Sequence, residues 1–454
     1  MRKILVIGSG KSTSYLLKYL LDKSVSENLT INVADINTEN ANKLIAGHAN
    51  ANAIVLDVFN DKSREEAIKN ADIVISMLPA RMHIEVAKDC ITYKKNMVTA
   101  SYVSKEMETL DKDVKSKGLI FMNEVGVDPG IDHMSAMHVI DRIRDKGGQI
   151  ILFESFTGGL VAPESDNNLW NYKFTWNPRN VVIAGQGGAA KFLQEGTYKY
   201  IPYHRLFRRT EFLEIDGYGR FEVYANRDSL KYQSVYGLDD IKTLYRGTMR
   251  RVGFSKAWNI FVTLGMTDDS YTIDDSENMS YRDFVNSFLP YSPSDSVELK
   301  LRHQLKIDQD DIIWDKLVEL DIFNANKMVG LKKATPAEIL QKILMDSWTL
   351  QKEDKDMIVM YHKFGYILEG KKLQIDATMV TIGEDQTYTA MAKTVGLPVA
   401  IATLHILNGK IKTPGVQIPI TKEVYEPILK ELEDFGIVFN EKKAPYLGYN
   451  PLNN

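Results

Sequence analysis

Ile4-Leu5-Val6-Ile7-Gly8-Ser9-Gly10-Lys11-Ser12-Thr13 is the stretch that decides the fold. Four apolar residues run without a break into a glycine-rich turn, the pattern of a strand buried on both faces of a parallel sheet. Ser14 to Leu21 then carries helical periodicity. Gly8-x-Gly10 between such a strand and helix suits a dinucleotide turn. Gly8 permits the tight bend, and Gly10 lets backbone N–H groups approach a pyrophosphate at the helix N-terminus. A nucleoside-triphosphate loop is the rival reading of Gly10-Lys11-Ser12. That pattern needs a glycine five residues before Gly10, where Leu5 lies inside the strand. Thr13 occupies the third glycine position, and its Cβ is expected to hold helix and strand slightly apart.

Outward from this turn, five more apolar runs follow: Thr30–Ala34, Ala53–Leu56, Ile73–Met77, Met97–Ala100 and Leu119–Met122. Polar, helix-favouring stretches separate them (Asn37–Ile45, Lys62–Asn70, His83–Cys90, Lys105–Lys117). Six strands in βα alternation predict a Rossmann-type doubly wound parallel sheet. Asp35 closes the second strand roughly 20 residues past the glycines, where an acidic group takes ribose hydroxyls and repels a 2′-phosphate. NAD is therefore expected in preference to NADP; the alternative for Asp35 is a cap on the helix from Asn37. Asp57-Val58 is expected beside the adenine and Leu78-Pro79-Ala80 near the nicotinamide ribose.

After Ile131 the texture changes. Ser135–Ile143 reads as an amphipathic helix and Gln149–Phe156 as a strand, with a turn-rich loop at Gly158–Ser165. Phe221–Tyr224 alternates as an antiparallel strand does, and Lys256–Leu350 is mostly helical. Asp356–Tyr366 and Lys372–Ile382 form a hairpin. Ala390–Leu407 and Thr421–Asp434 are helices, and Ile437–Asn440 a last strand. The expected division is a dinucleotide domain at 1–130, to which about 410–454 returns. A substrate-binding α/β domain with a mixed sheet takes 131–255 and 356–409, and an inserted helical domain takes 256–355.

The chain of 454 residues exceeds one core, since single domains rarely pass ~250–300 residues. Its net charge of −4 gives no electrostatic case for nucleic acid. One cysteine, Cys90, excludes an intrachain disulfide and a multi-cysteine metal site, and no metal is expected. Met1-Arg2-Lys3 leads straight into the first strand without a signal pattern, and no membrane span is expected. A reducing cytoplasmic setting is the expectation. The aromatic residues of the second domain admit two readings, a homodimer interface or core.

The turn Asn123-Glu124-Val125-Gly126-Val127-Asp128-Pro129-Gly130-Ile131-Asp132-His133 lies beyond the sixth strand's carboxyl end, where open α/β sheets bind ligands. Ser101-Tyr102-Val103-Ser104 follows the fifth strand. Further motifs are Gly158–Ser165, Tyr172-Lys173-Phe174-Thr175-Trp176, Asn226-Arg227-Asp228-Ser229, Arg246-Gly247-Thr248-Met249-Arg250, Asp356–Met360 and Ala390–Pro398. In these motifs the chain resembles, nearly end to end, the saccharopine dehydrogenases of the glutamate-forming type. That family includes fungal saccharopine reductase and the carboxyl-terminal half of the bifunctional lysine-degrading enzyme. The last two motifs look more like the bifunctional enzyme's half, and Asp35 agrees, because the reductase carries a basic residue there.

The resemblance implies oxidation of the secondary amine of saccharopine, then hydrolysis of the imine to glutamate and α-aminoadipate semialdehyde. It implies saccharopine contacts at Ser101, Tyr102, Asp128, Arg227, Thr248, Met249 and Arg250. Thr157 replaces a family cysteine that faces substrate, and cannot serve as a thiolate base. The nucleotide is implied at Gly8, Ser9, Gly10, Lys11, Ser12, Asp35, Ile36, Asn37, Asp57, Val58, Leu78, Ala100 and Ser101. It also falls on Val127, Asp128, Pro129, Gly130, Ile131, Asp132, His133 and Met134. A substrate with three carboxylates calls for guanidinium forks, which Arg227 and Arg250 can supply, unless they serve structural salt bridges. Proton transfer calls for a group titrating near working pH; Asp128 is the first choice and His133 the second. Their structural alternatives are a turn former before Pro129-Gly130 and a backbone partner at the helix start. Rival functions are a sister amino-acid dehydrogenase such as carboxynorspermidine dehydrogenase, and a catalytically silent nucleotide-sensing protein on the same fold.

Overall fold

The computed structural model describes residues 1–446 and 448. Two compact units emerge, Met1–Gly148 with Met379–Asn440, and Gln149–Thr378 with Glu441–Asn454.

The first unit is built on strands β1 (Arg2–Ile7), β2 (Leu29–Asp35), β3 (Ala51–Val55), β4 (Ile73–Ser76), β5 (Asn96–Val98) and β6 (Ile120–Met122). They lie in the order β6-β5-β4-β1-β2-β3, all parallel, and Gly415–Gln417 adds a seventh parallel strand beside β6. Apolar runs become strands here because both faces are covered: Ile4, Leu5, Val6 and Ile7 are at most 1 % exposed. The order reverses between β1 and β4, and ligands bind beyond the carboxyl ends at such a point. Ala390–Leu407 is long and apolar enough by composition to cross a membrane, yet 83 % of it is buried within the protein. It packs behind the first turn, where a Cβ on Gly396 would meet Leu16 N at 2.8 Å and Ser12 O at 3.0 Å. Only a bare glycine allows that approach.

The second unit holds a mixed sheet. Its strands are β7 (Gln149–Val161), β8 (Ala190–Gln194), β9 (Thr197–Ile201), β10 (Thr210–Ile215), β11 (Gly219–Ala225), β12 (Thr243–Arg251), β13 (Asp356–Leu368) and β14 (Lys371–Ile382). The order is β10-β11-β12-β7-β13-β14 followed by Asn440–Pro445, with the β8–β9 hairpin attached to β12. β12 runs parallel to β7, while β11 and β13 run antiparallel to their inner neighbours.

Several expectations change. Gly158-Gly159 is strand rather than loop, paired with Val359 and Ile358 of β13. A Cβ on Gly158 would lie 3.0 Å from both Met249 Cβ and Met249 O, so the glycine serves a close approach to the neighbouring strand β12. The final strand begins at Asn440, later than Ile437. Residues 131–148 and 379–409 sit in the first unit, not with the substrate sheet. The helical stretch 256–355 falls within the second unit, because Trp348 packs against Trp170, Tyr172 and Phe174, and Trp258 packs against Trp348. Of the expected return of 410–454, residues 447 and 449–454 lie outside the described residues.

Candidate active site

The glycine turn after β1 has the form a dinucleotide needs. Gly8 adopts φ +100°, and a Cβ there would press on Met77 O at 2.8 Å. The Cβ position of Gly10 meets nothing within 4 Å, so the backbone faces open space that a phosphate can enter. The buried Thr13 hydroxyl donates to Gly10 O at 2.6 Å and closes the turn. Lys11 and Ser12 begin the short helical turn beyond Gly10.

Asp35 is bound into this turn. Its Oδ2 accepts hydrogen bonds from Ser9 N and Ser9 Oγ, each 2.7 Å, and Asn40 donates to Ser9 O. After β2 and β3 stand exposed Ile36, exposed Asn37 and exposed Asp57, with Val58 buried beneath. Phe59, 61 % exposed, is a further large apolar side chain there that the sequence reading passed over. Arg64 fixes this turn, donating to Val58 O at 2.6 Å and pairing with Asp89 at 2.7 Å.

The loops after β5 and β6 are stitched together. Glu124 N donates to Ser101 O at 3.0 Å, and Glu124 Oε1 accepts from Val103 N at 2.9 Å. Between Gly126 and Gly130 the chain turns back on itself: Gly126 N donates to Pro129 O and Ile131 N to Gly126 O, both 2.9 Å. Gly130, at φ +146°, has Gly126 O only 2.1 Å from where a Cβ would stand. No other residue closes this loop. Its product is a half-buried Asp128, whose Oδ1 accepts from the exposed Tyr102 hydroxyl at 3.3 Å. Leu78, Ala100 and Ser101 are likewise half-buried at the same carboxyl edge.

His133 is a correction. It is fully buried, with Nε2 2.9 Å from Glu124 Oε2, and it holds the two loops rather than meeting a ligand. Asp132, 1 % exposed, accepts from Gly130 N at 2.6 Å. Ile131 and Met134 are also wholly inside, and Val127, Pro129 and Gly130 are buried too, so of the expected Val127–Met134 segment only Asp128 is partly exposed. The amides of Ile131 and Asp132 are taken by Gly126 O and Val127 O, which leaves no anion site at that helix start.

The sequence reading also missed a pair of residues. Ser76, the last residue of β4, lies 2.8 Å from His83 Nδ1, and His83 Nε2 lies 2.7 Å from Ser101 Oγ. Burial holds the His83 imidazole down to about 4, from 6.5. The available signal was position: all three residues stand at the carboxyl ends of neighbouring strands β4 and β5, or just beyond.

In the second unit, strand alternation sorts the Thr248-Met249-Arg250 motif. Thr248 lies opposite Tyr224 on one side and Thr157 on the other, and Arg250 lies opposite Glu222. Thr157, Thr248 and Arg250 therefore share one face. Met249 points to the other, fully buried, so it offers a substrate only backbone. Arg250 is 4 % exposed, with its guanidinium carbon 5.0 Å from the Tyr172 ring, 5.3 Å from Phe254 and 5.8 Å from Tyr224. One amino group donates to Met249 O at 2.8 Å, but its Nε has no partner. Glu222 gives its carboxylate to the amides of Gly253 and Ser255 instead. Thr157 Oγ1 is buried and unpartnered too. Arg227 is exposed in a turn at φ +47° and pairs with no carboxylate among the described residues.

Two family models cover nearly the whole chain: the saccharopine dehydrogenase NADP binding domain at residues 4–122 and the saccharopine dehydrogenase C-terminal domain at 126–437. Saccharopine dehydrogenase [NADP(+), L-glutamate-forming] of Saccharomyces cerevisiae is 32% identical over 97% of this chain and 99% of that one. The rat mitochondrial alpha-aminoadipic semialdehyde synthase is 34% identical over 98% of this chain but 48% of its own. The chain thus spans about half the length of that relative. The solved apo saccharopine dehydrogenase (L-Glu forming) of Saccharomyces cerevisiae superposes with a TM-score of 0.88, at 31% identity, over 98% of this chain and 100% of the other. A homospermidine synthase of Legionella pneumophila shares the fold alone, with a TM-score of 0.55 at 8% identity, over 98% of this chain and 92% of that one.

These likenesses overturn the expected preference for NAD: the matched domain is described as NADP binding, and the fungal relatives carry NADP(+) in their names. The physical error lay at Asp35. The expectation has the Asp35 carboxylate turned to the ribose, whereas its Oδ2 accepts hydrogen bonds from Ser9 N and Ser9 Oγ within the glycine turn. With both halves matched and full-length identity above 30%, the chain belongs to the saccharopine dehydrogenase family.

Proposed function

We propose that the protein is an NADP-linked saccharopine dehydrogenase of lysine metabolism that releases L-glutamate and α-aminoadipate semialdehyde. The observation that carries this reading is Arg250, a buried guanidinium in an aromatic enclosure with no carboxylate to pair with among the described residues. Leaving such a charge unpaired costs several kcal/mol, which a ligand carboxylate recovers. Saccharopine brings three carboxylates. Arg227, exposed and likewise unpaired, suits a second.

The open backbone at Gly10 and the turn closed by Thr13 fit a pyrophosphate, and the dinucleotide held there supplies a hydride acceptor. The remaining steps fall to the chain's own groups. Asp128, half-buried and bonded to Tyr102, takes the proton of the secondary amine and later assists water at the imine carbon. Ser101 and Tyr102 orient the reacting end. Thr157 and Thr248 line the Arg250 face and bond the substrate without acid–base work.

The test is spectrophotometric: NADPH formation with saccharopine, with glutamate assayed as product. Turnover with release of lysine instead of glutamate, or none with either dinucleotide, defeats the proposal. The Arg250→Met variant is expected to retain dinucleotide binding while losing saccharopine affinity.

A further inference from the structure

Ser76 and His83, which no step above uses, form a hydrogen-bonded chain with Ser101. Ser76 is fully buried at the end of β4 and His83 is 4 % exposed. Ser101 lies half-buried after β5. The links are 2.8 and 2.7 Å. The Ser101 backbone is already pinned, since its N–H donates to Thr99 Oγ1 at 3.3 Å and its C=O accepts from Glu124 N at 3.0 Å. Only its side-chain torsion remains to be set, and among the described residues His83 is the partner of that hydroxyl.

A neutral imidazole carries one N–H and one lone pair, so it donates to one serine and accepts from the other. With the proton on Nδ1, Ser76 receives it and Ser101 gives its O–H to Nε2, leaving lone pairs outward. With the proton on Nε2, the Ser101 O–H turns outward. The pair Ser76–His83 thereby decides whether Ser101 offers a donor or an acceptor. Burial keeps the ring neutral at working pH. A trio kept for packing alone would be better served by apolar side chains, because buried polar groups contribute little net stability.

We propose that His83 is a positioning residue for turnover, fixing the direction of the Ser101 hydroxyl toward the bound ligand. This rests on the function proposed above. Its ligand partner is a hydrogen-bonding group of either the dinucleotide or saccharopine.

The test is a double-mutant cycle on the full-length chain. His83→Ala and Ser101→Ala should each lower kcat/KM for saccharopine by ~10- to 100-fold, the cost of losing alignment at a reacting centre. The double variant should fall no further. His83→Gln, which keeps an amide able to reach Ser101, should regain most of the loss, and Ser76→Ala should cost less than His83→Ala. NADPH titration by fluorescence separates the two ligands: a raised Kd names the dinucleotide, an unchanged Kd with raised KM names saccharopine. Multiplying losses in the double variant, wild-type kinetics in His83→Ala, or a loss in His83→Gln as large as that in Ser101→Ala overturn the proposal. If His83→Ala fails to fold, the Gln and Ser76 variants decide it. A wild-type chain inert toward saccharopine defeats the function instead, and NADPH affinity across the same variants then decides the positioning role, an unchanged Kd refuting it.

Discussion

The loop from Gly126 to Gly130 and the sheet face around Arg250 treat buried polar groups in opposite ways. In the loop the protein consumes them itself: backbone amides find Pro129 O, Gly126 O and Val127 O, and Glu124 is held by Val103 N and His133. On the sheet face they are left over, at Arg250 Nε and Thr157 Oγ1. A satisfied network rigidifies a scaffold, whereas an unsatisfied one is a cost the folded protein carries until something binds. The difference separates what shapes the site from what recognises the ligand.

Breaking the closed side should have the largest effect. Gly130→Ala places a Cβ 2.1 Å from Gly126 O at a backbone angle L residues avoid. Activity should vanish, and chemical denaturation should show a loss of about 3–5 kcal/mol. A Gly130→Ala protein of wild-type stability would mean the loop has an alternative closure, and the contrast would fail.

Removing the charge on the open side should separate function from stability. Arg250→Met keeps a linear apolar side chain among Tyr172, Tyr224 and Phe254. The kcat/KM for saccharopine should fall by ~10²–10³-fold, while Tm holds or rises, because a buried charge without a partner is removed. A large fall in Tm would show Arg250 to be structural.

His83 stands between the two cases: paired at both ring nitrogens, yet linked to a half-buried hydroxyl. Its imidazole titrates near 4 in the folded chain and near 6.5 when unfolded. Between those values the unfolded state binds more protons, so the stability His83 contributes is present above pH 6.5 and is lost as pH falls toward 4. The contribution is at most about 3 kcal/mol. His83→Gln should flatten the Tm–pH curve over that window; a parallel curve would mean the ring is more hydrated than the geometry indicates.

Much of this could be read from the chain. The six parallel strands declare themselves because burial on both faces demands unbroken apolar runs, and their ends fall within three residues of the runs in the sequence. Glycine was the harder letter. Gly158 and Gly159 read as a turn, but both lie in β7, where Gly158 allows a close approach to Met249 of the neighbouring strand, 91 positions on. Asp35 had the right position and the wrong partner, since only coordinates show its carboxylate turned to Ser9. His83 opens an ordinary amphipathic helix, and a single histidine has no periodicity to betray it. Alternation alone, applied to Thr248-Met249-Arg250, would have sent Met249 to the opposite face. What stayed out of reach was which partner each polar group finds.

The smallest effect tests the finest part of the contrast. Thr157 lies opposite Thr248 on β12 and Met360 on β13, with a buried hydroxyl that bonds to nothing. Thr157→Val keeps shape and strand preference while deleting only that oxygen, so stability should stay level or rise by up to about 1 kcal/mol. If the hydroxyl awaits substrate, kcat/KM for saccharopine should drop ~3- to 10-fold with the dinucleotide Kd unchanged, the effect of one neutral hydrogen bond. If kcat/KM is untouched while Tm rises, the orphan is a packing remnant. Recognition on that face then narrows to Arg250 and Thr248, where charge, not hydroxyl count, sets specificity.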